Sequence, residues 1–499
     1  MSLFFALSIA RRALSAQQAA MNTAGHNIAN ANTEGYSRQR AVMQTTAPWP
    51  VPSVSMPAGA GQIGTGVEVA LIQRIRDTFL DRQIRNELAT LGLWEQRRDT
   101  LQQVEVVFME PGETGLSTLL SQFWDAWQEL SKYPESMPVR TTVIETAQSL
   151  AEALRHTHQQ LTNLRSDLND LIALKVEEIN TLARQIADLN QQIFTITVAG
   201  ISPNDLLDRR DLLLDQLSKI VAITVEPVTI DRGSQTVDTG AVRVKLREAQ
   251  VSGTPVELVG WDEGRSSARV EGLEARSGTD GYEVYWLGDT SAPVPQQDLG
   301  GELTGLFYAR DDVLLHEYLD QLDRFAQALA AGVNNQHQGG FDYNGIEGGA
   351  FFVDDEGGTV TSGGAIYVNP ALVADVSKVA AAGSRESDGS PIVGDGTNAL
   401  AIAQLRREPV SDLDGFTFDD YYKNLIARLG VASNEAQRMV ENQNVLVEQL
   451  NQRKESISGV SLDEEMVNLI QYQYAYQAAA RVITVVDEML DTLINRMLR

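Results

Sequence analysis

Residues 3–28, LFFALSIARRALSAQQAAMNTAGHNI, and residues 462–497, LDEEMVNLIQYQYAYQAAARVITVVDEMLDTLINRM, decide how this chain is built. In the first, Leu3, Leu7, Ala10, Leu14, Gln17, Met21, Ala24 and Ile28 recur at alternating steps of four and three. In the second, Leu462, Met466, Leu469, Gln473, Tyr476, Ala480, Ile483, Asp487, Leu490, Ile494 and Met497 do the same. This spacing puts each set on one narrow helical stripe, and each stripe needs another helix to lie against. The two ends are therefore expected to pair, although most of the chain separates them. The first stripe mixes Ala and Gln with Leu, and a helix of that length is marginal alone in water. Both ends are expected to become ordered only when neighbouring copies surround them; the alternative is an ordinary two-helix coiled coil that closes the single chain.

Working inward, Asn30, Asn32 and Gly35 tolerate the left-handed backbone that ends the first helix. Residues 47–66, rich in Pro and Gly, read as an extended connector. Helical spacing returns from Val69 to Phe108, where Pro111-Gly112 closes it, and further helices are expected from Gly115 to Lys132 and from Asn204 to Ile220. Between them, residues 139–197 carry seams at Leu161, Leu164, Leu168 and Leu171 and, after a phase shift, at Ile179, Leu182, Ile186, Leu189 and Ile193. At 1.5 Å per residue this is a rod of roughly 80 to 90 Å. From Ile223 to Val294 the period changes to two, as in Ala241-Val242-Arg243-Val244-Lys245-Leu246, which predicts an inserted antiparallel β domain. Helix resumes at Gly301, a second Gly-rich insertion runs from Gly339 to Asn398, and a heptad helix from Tyr422 to Leu450 precedes the break at Gly459.

The predicted fold class is mainly α with β insertions, in an elongated multidomain protein. Residues 1–45 and 458–499 form a terminal coiled-coil domain; residues 46–222, 300–338 and 399–457 form a helical rod domain. Residues 223–299 form the β domain, and residues 339–398 a small β and loop insertion. A chain of 499 residues is too long for one core and divides in this way. Its net charge of -27 argues against nucleic acid or an anionic membrane as partner. The absence of cysteine excludes disulfides and thiolate chemistry. Near the start, the apolar run from Leu3 to Ala10 precedes Arg11-Arg12, the reverse of a secretory signal. No stretch approaches the roughly 20 apolar residues of a membrane span.

Residues for chemistry are not found. Gly59-Ala60-Gly61-Gln62-Ile63-Gly64 matches the dinucleotide fingerprint by letter, but no helix opens after it to receive a pyrophosphate. His316-Glu317-Tyr318-Leu319-Asp320 has an aspartate where a zinc protease has its second histidine. His156 and His158 diverge around a helix and read as solvated. Asp354-Asp355 lies in a loop of an acidic chain, and nothing singles out a general acid and base. No catalytic residue, metal ligand or cofactor is expected, and the chain is read as a non-enzyme.

The run from Leu14 to Gln39, with Asn27, Asn30, Gly35 and Tyr36 at its end, resembles the opening signature of bacterial flagellar rod, hook and hook-associated proteins. Glu465-Met466-Val467-Asn468-Leu469-Ile470 and Asp487-Glu488-Met489-Leu490 resemble that family's closing helix. Asp205-Leu206-Leu207-Asp208-Arg209-Arg210-Asp211-Leu212-Leu213-Leu214-Asp215, Gly300-Gly301-Glu302-Leu303-Thr304-Gly305-Leu306 and Gly349-Ala350-Phe351-Phe352 are similar to its members at the hook–filament junction. The resemblance implies export without processing through the flagellar type III channel, a secreted, extracellular location at the junction, and a mechanical adaptor role. It implies a ring of about 11 copies of the chain, with the hook protein below, a second junction protein (hook-associated protein 3) above, and an export chaperone on the C-terminal helix. Leu3, Leu7, Leu14, Met21, Ile28, Asn27, Asn30, Gly35, Tyr36, Leu469, Tyr476, Ile483, Leu490 and Ile494 are the expected assembly contacts. The alternatives are a hook or distal rod protein, or a secreted adhesin or enzyme whose activity sits in the β insertions.

Overall fold

The computed structural model describes residues 3–49, 63–108, 115–232, 235–278, 280–386, 392 and 394–492. Residues 59–62 of the glycine motif, Pro111, Gly112, Ile494, Met497 and the side chain of Leu3 lie outside the described set. Helix α1 (Leu3–Ala29) is followed by the hairpin β1 (Gln39–Thr45) and β2 (Val67–Arg74). Helices α2 (Thr78–Phe108), α3 (Leu116–Lys132), α4 (Met137–Val198) and α5 (Asn204–Ile220) follow. The β domain has two antiparallel sheets in chain order, β3 (Ile223–Arg232), β4 (Gln235–Val251), β5 (Thr254–Asp262) and β6 (Ser267–Val270), then β7 (Leu273–Ser277), β8 (Tyr282–Trp286) and β9 (Asp289–Pro293). The chain returns through α6 (Gln296–Leu299) and α7 (Gly301–Tyr308), a π-helical segment (Ala309–Leu319) and α8 (Asp320–Gln338). A ribbon of β10 (Phe352–Val353) and β11 (Tyr367–Val368), then α9 (Pro370–Ala374) and α10 (Thr397–Gln404), lead to α11 (Phe418–Ser458) and α12 (Leu462–Asp491).

The 62 residues of α4 make it the spine. Pro138 sits in its first turn, where a missing N–H costs nothing, and no Gly or Pro interrupts it afterwards. Val143, Ala147, Leu150, Leu154, Leu161, Leu168, Ile172, Ile179, Ile186 and Ile193 all point into the body. Its first half packs on α3, its second half on α5 and on the β domain. Phe123, Trp124 and Trp127 of α3 meet Phe351, Phe352 and Phe418, with Trp127 and Phe351 centroids 5.2 Å apart. The Gly-rich insertion is thus fastened to the core by two phenylalanines.

His337 fastens it a second time. This fully buried ring sits 2.7 Å from the Gly349 carbonyl through Nδ1 and accepts the Ala380 N–H at Nε2, 2.9 Å away. Only the neutral Nδ1–H tautomer satisfies both contacts. Burial pushes its pKa from the ordinary 6.5 down to about 4. A depressed histidine contributes stability fully above its unfolded value and loses it as the pH falls towards the folded one. We expect roughly 3 kcal/mol of stability to be lost between about pH 6.5 and 4, read as a falling urea midpoint. His337→Gln should flatten that slope; an unchanged slope would contradict the assignment.

Three sequence expectations are corrected. Residues 69–74, read as helix, form β2, because Val67, Val69 and Leu71 alternate and pair with Thr45, Met43 and Val42. His158, read as solvated, lies 3.3 Å from Asp323 and 3.2 Å from the Ser362 hydroxyl, while His156 is exposed. The helix from Gly301 is not uniform, since Ala309–Leu319 is π-helical. There Arg310, almost wholly buried, pairs with Asp311 at 2.7 Å and donates to Asn169 of α4 and to the Tyr282 carbonyl of β8.

Candidate functional site: the terminal helix pair and its anchor

Helices α1 and α12 lie side by side, and the end of α1 meets the start of α12, so they run antiparallel. Small residues let α1 sit close to its neighbours: Ala10, Ala16, Ala20 and Ala24 are buried. Leu7, Leu14, Met21 and Ile28 are half-buried. On α12 the half-buried set includes Leu469, Tyr476, Ile483 and Leu490, as the seven-residue spacing requires. The intervening rung differs from the sequence reading. Glu465, Tyr472, Ala479 and Val486 occupy it, whereas Met466, Gln473 and Asp487 are exposed. The cause is Glu465, whose buried carboxylate is held by Asn27 and Arg38 and takes the inward place.

That shift leaves a second apolar row on α12. Met466, Ile470, Tyr474, Val482, Val485 and Met489 are 42–69% exposed and follow one another at steps of three, four or eight. The row spans about 35 Å at helical rise. A helix apolar on two sides has one face covered by α1 and another left for a second partner.

The pair is anchored where α1, the hairpin, α5 and α12 converge. Asn27 is the hinge pin of this site: its Nδ2 donates to the Gln39 carbonyl (2.8 Å) and to Glu465 (3.0 Å). Its Oδ1 accepts the Gln39 N–H (2.9 Å) and the Tyr36 hydroxyl (2.7 Å). Burial, then the charges of Asp205, Asp208 and Glu465, push the Tyr36 hydroxyl far above its ordinary range, so it stays a donor. Asn30 donates back to the His26 carbonyl at 3.0 Å and closes α1. Gly35 adopts φ +78°, with Leu212 of α5 packed where a Cβ would stand. Arg38 reaches Glu465 at 2.8 Å and Glu464 at 2.9 Å.

Sequence reasoning did not see the ionic lattice beneath. Asp205, Asp208, Asp211 and Asp215 share one face of α5 by their spacing of three, three and four. Arg74 bridges Asp208 and Asp211 at 2.9 and 2.7 Å, Arg76 holds Asp81 at 2.7 Å, and Arg85 holds Asp215 at 2.7 Å. Lys454 of α11 adds a contact to Asp215 at 3.2 Å. Burial alone would raise the Asp211 pKa, but Arg76, Arg74, Arg210 and Arg85 outweigh it and hold the carboxyl well below the usual range. The available signal was the match of this acidic helix face to the closely spaced Arg74, Arg76 and Arg85.

Chemically the site is a network of hydrogen bonds and ion pairs that ties distant parts of one chain together. Among the described residues no group of three or more His, Cys, Asp or Glu could hold a metal ion, and no helix is long and apolar enough to cross a membrane.

Comparison with known proteins bears on this geometry. Family models match residues 101–352 (flagellar hook-associated protein FlgK helical domain), 451–497 (flagellar basal body rod FlgEFG protein C-terminal) and 7–36 (flagella basal body rod protein). The chain is 33% identical to flagellar hook-associated protein 1 of Bacillus subtilis, covering 99% of each chain. It is 27% identical to the protein of that name in Escherichia coli, covering 97% of this chain and 98% of the other. The solved flagellar hook junction protein FlgK from Burkholderia pseudomallei shares the fold, with a TM-score of 0.60 at 17% identity, over 76% of this chain and 100% of that one.

Proposed function

We propose, for a chain that belongs to the flagellar hook-associated protein 1 family, that it is a subunit of the ring joining hook to filament, assembled through its terminal helix pair. Its role is that of a structural hook-associated component of the flagellum. The observation that carries the finer reading is the double apolar character of α12: one stripe meets α1 of the same chain, and the row from Met466 to Met489 is free for the next copy. A surface of this kind hides well under a cytosolic export chaperone before secretion and under a sister subunit afterwards. In the assembled ring, Leu7, Leu14, Met21 and Ile28 supply the complementary half-covered face.

The hook protein on one side, hook-associated protein 3 on the other, and about 11 copies in the ring complete the proposed assembly. No reaction is assigned to the chain. Immunogold labelling of isolated flagella tests its place: a single band at the hook–filament boundary is expected. Label along the whole hook would contradict the junction and support a hook protein.

A further inference from the structure

The apolar clusters of the body contain no side chain from α1, the β1–β2 hairpin or α12 among the described residues. The chain crosses between this terminal unit and the body at residues 75–77 and 459–461. What joins the two elsewhere is mostly polar. The Ser37 N–H donates to Asp208 at 3.0 Å, Arg74 to Asp208 and Asp211, and Asn204 to Gln39 and the Ile72 carbonyl at 3.1 and 2.9 Å. Nor is the lattice saturated: Arg76 Nη2 and Asp81 Oδ1 are buried without a hydrogen bond. Asp215 stands 4.0 Å from the first and Lys454 3.7 Å from the second, so other pairings lie within a short shift. An ionic surface with spare donors can re-pair by sliding, whereas an interlocked apolar core cannot.

We propose that the terminal unit is a rigid arm held to the body by an ionic latch on the acidic face of α5, pivoting at residues 75–77 and 459–461. The latch fixes the angle between arm and body, and losing one pairing releases it while each side keeps its own fold. Asp205 and Asp208 are its specific elements, because the partners of Asp208 (Ser37, Arg74 and Arg76) and of Asp205 (His26 and Gln39) all precede α2, while Asp211 and Asp215 also hold Arg85 of α2. The latch is a property of the single chain and stands apart from ring assembly.

The absence of cysteine makes the test direct. Gln18→Cys on α1 and Arg82→Cys on α2, both at exposed positions, carry spin labels on the full-length chain, and pulsed EPR reads their separation. The parent should give one narrow distance. Asp208→Asn, and separately Arg74→Gln, should raise the population outside that peak roughly ten-fold, the loss of one charge-assisted hydrogen bond. Arg74→Lys should restore part of the peak, and the body's melting transition should persist. An unchanged distribution in both variants would overturn the latch, as would broadening seen in both only together with loss of the body's transition.

Discussion

Asp211→Ala should lower the unfolding free energy by about 3–5 kcal/mol, because it leaves buried guanidinium groups without their shared counter-charge. Arg74 loses its 2.7 Å partner, Arg85 its 3.3 Å partner, and Arg76 the carboxylate 3.5 Å away. Asp211→Asn keeps the shape and one acceptor, so its smaller loss separates charge from packing. The sign with pH follows from the depressed carboxyl: its contribution is fully present above the ordinary value of 3.8 and disappears as the pH falls below it. Urea unfolding of the purified chain at neutral pH measures the effect. A loss under about 1 kcal/mol would mean that the lattice behaves like an exposed ion pair.

The largest effect on assembly is expected from Leu14→Asp combined with Ile483→Asp. Both side chains are half-buried on the helix pair of one chain, and burying an unpaired charge costs several kcal/mol at each site. Cells carrying the double variant should export the protein yet grow hooks without filaments. The purified variant should keep the body's melting transition, since neither residue touches the body's apolar core. Normal filaments on the double variant would sink the assembly role of the terminal pair.

The helical architecture was legible because α4, α11 and α12 carry long apolar rhythms that tertiary contacts did not override. The β domain was legible as alternation. Residues 69–74 were misread because Ile72 and Ile75 fit a helical step as well as a strand, and only the pairing of β2 with β1 decides between them. At the site, periodicity located Leu469, Tyr476, Ile483 and Leu490, but it could not place the alternate rung. There the charge of Glu465, matched by Arg38 and Asn27 from the other end of the chain, outweighs the apolar character of Met466. For the same reason the α5 lattice stayed hidden: its cations come from β2, the segment just after it, α2 and α11, and a one-dimensional pattern shows an acidic face without showing what meets it.

A density map of the native hook–filament boundary tests the central claim most directly. The account predicts α1 and α12 of each copy antiparallel and in contact in the innermost layer, with Met466, Tyr474 and Met489 against a neighbouring copy. Finding the two helices apart, or that row bare along the channel, would contradict it.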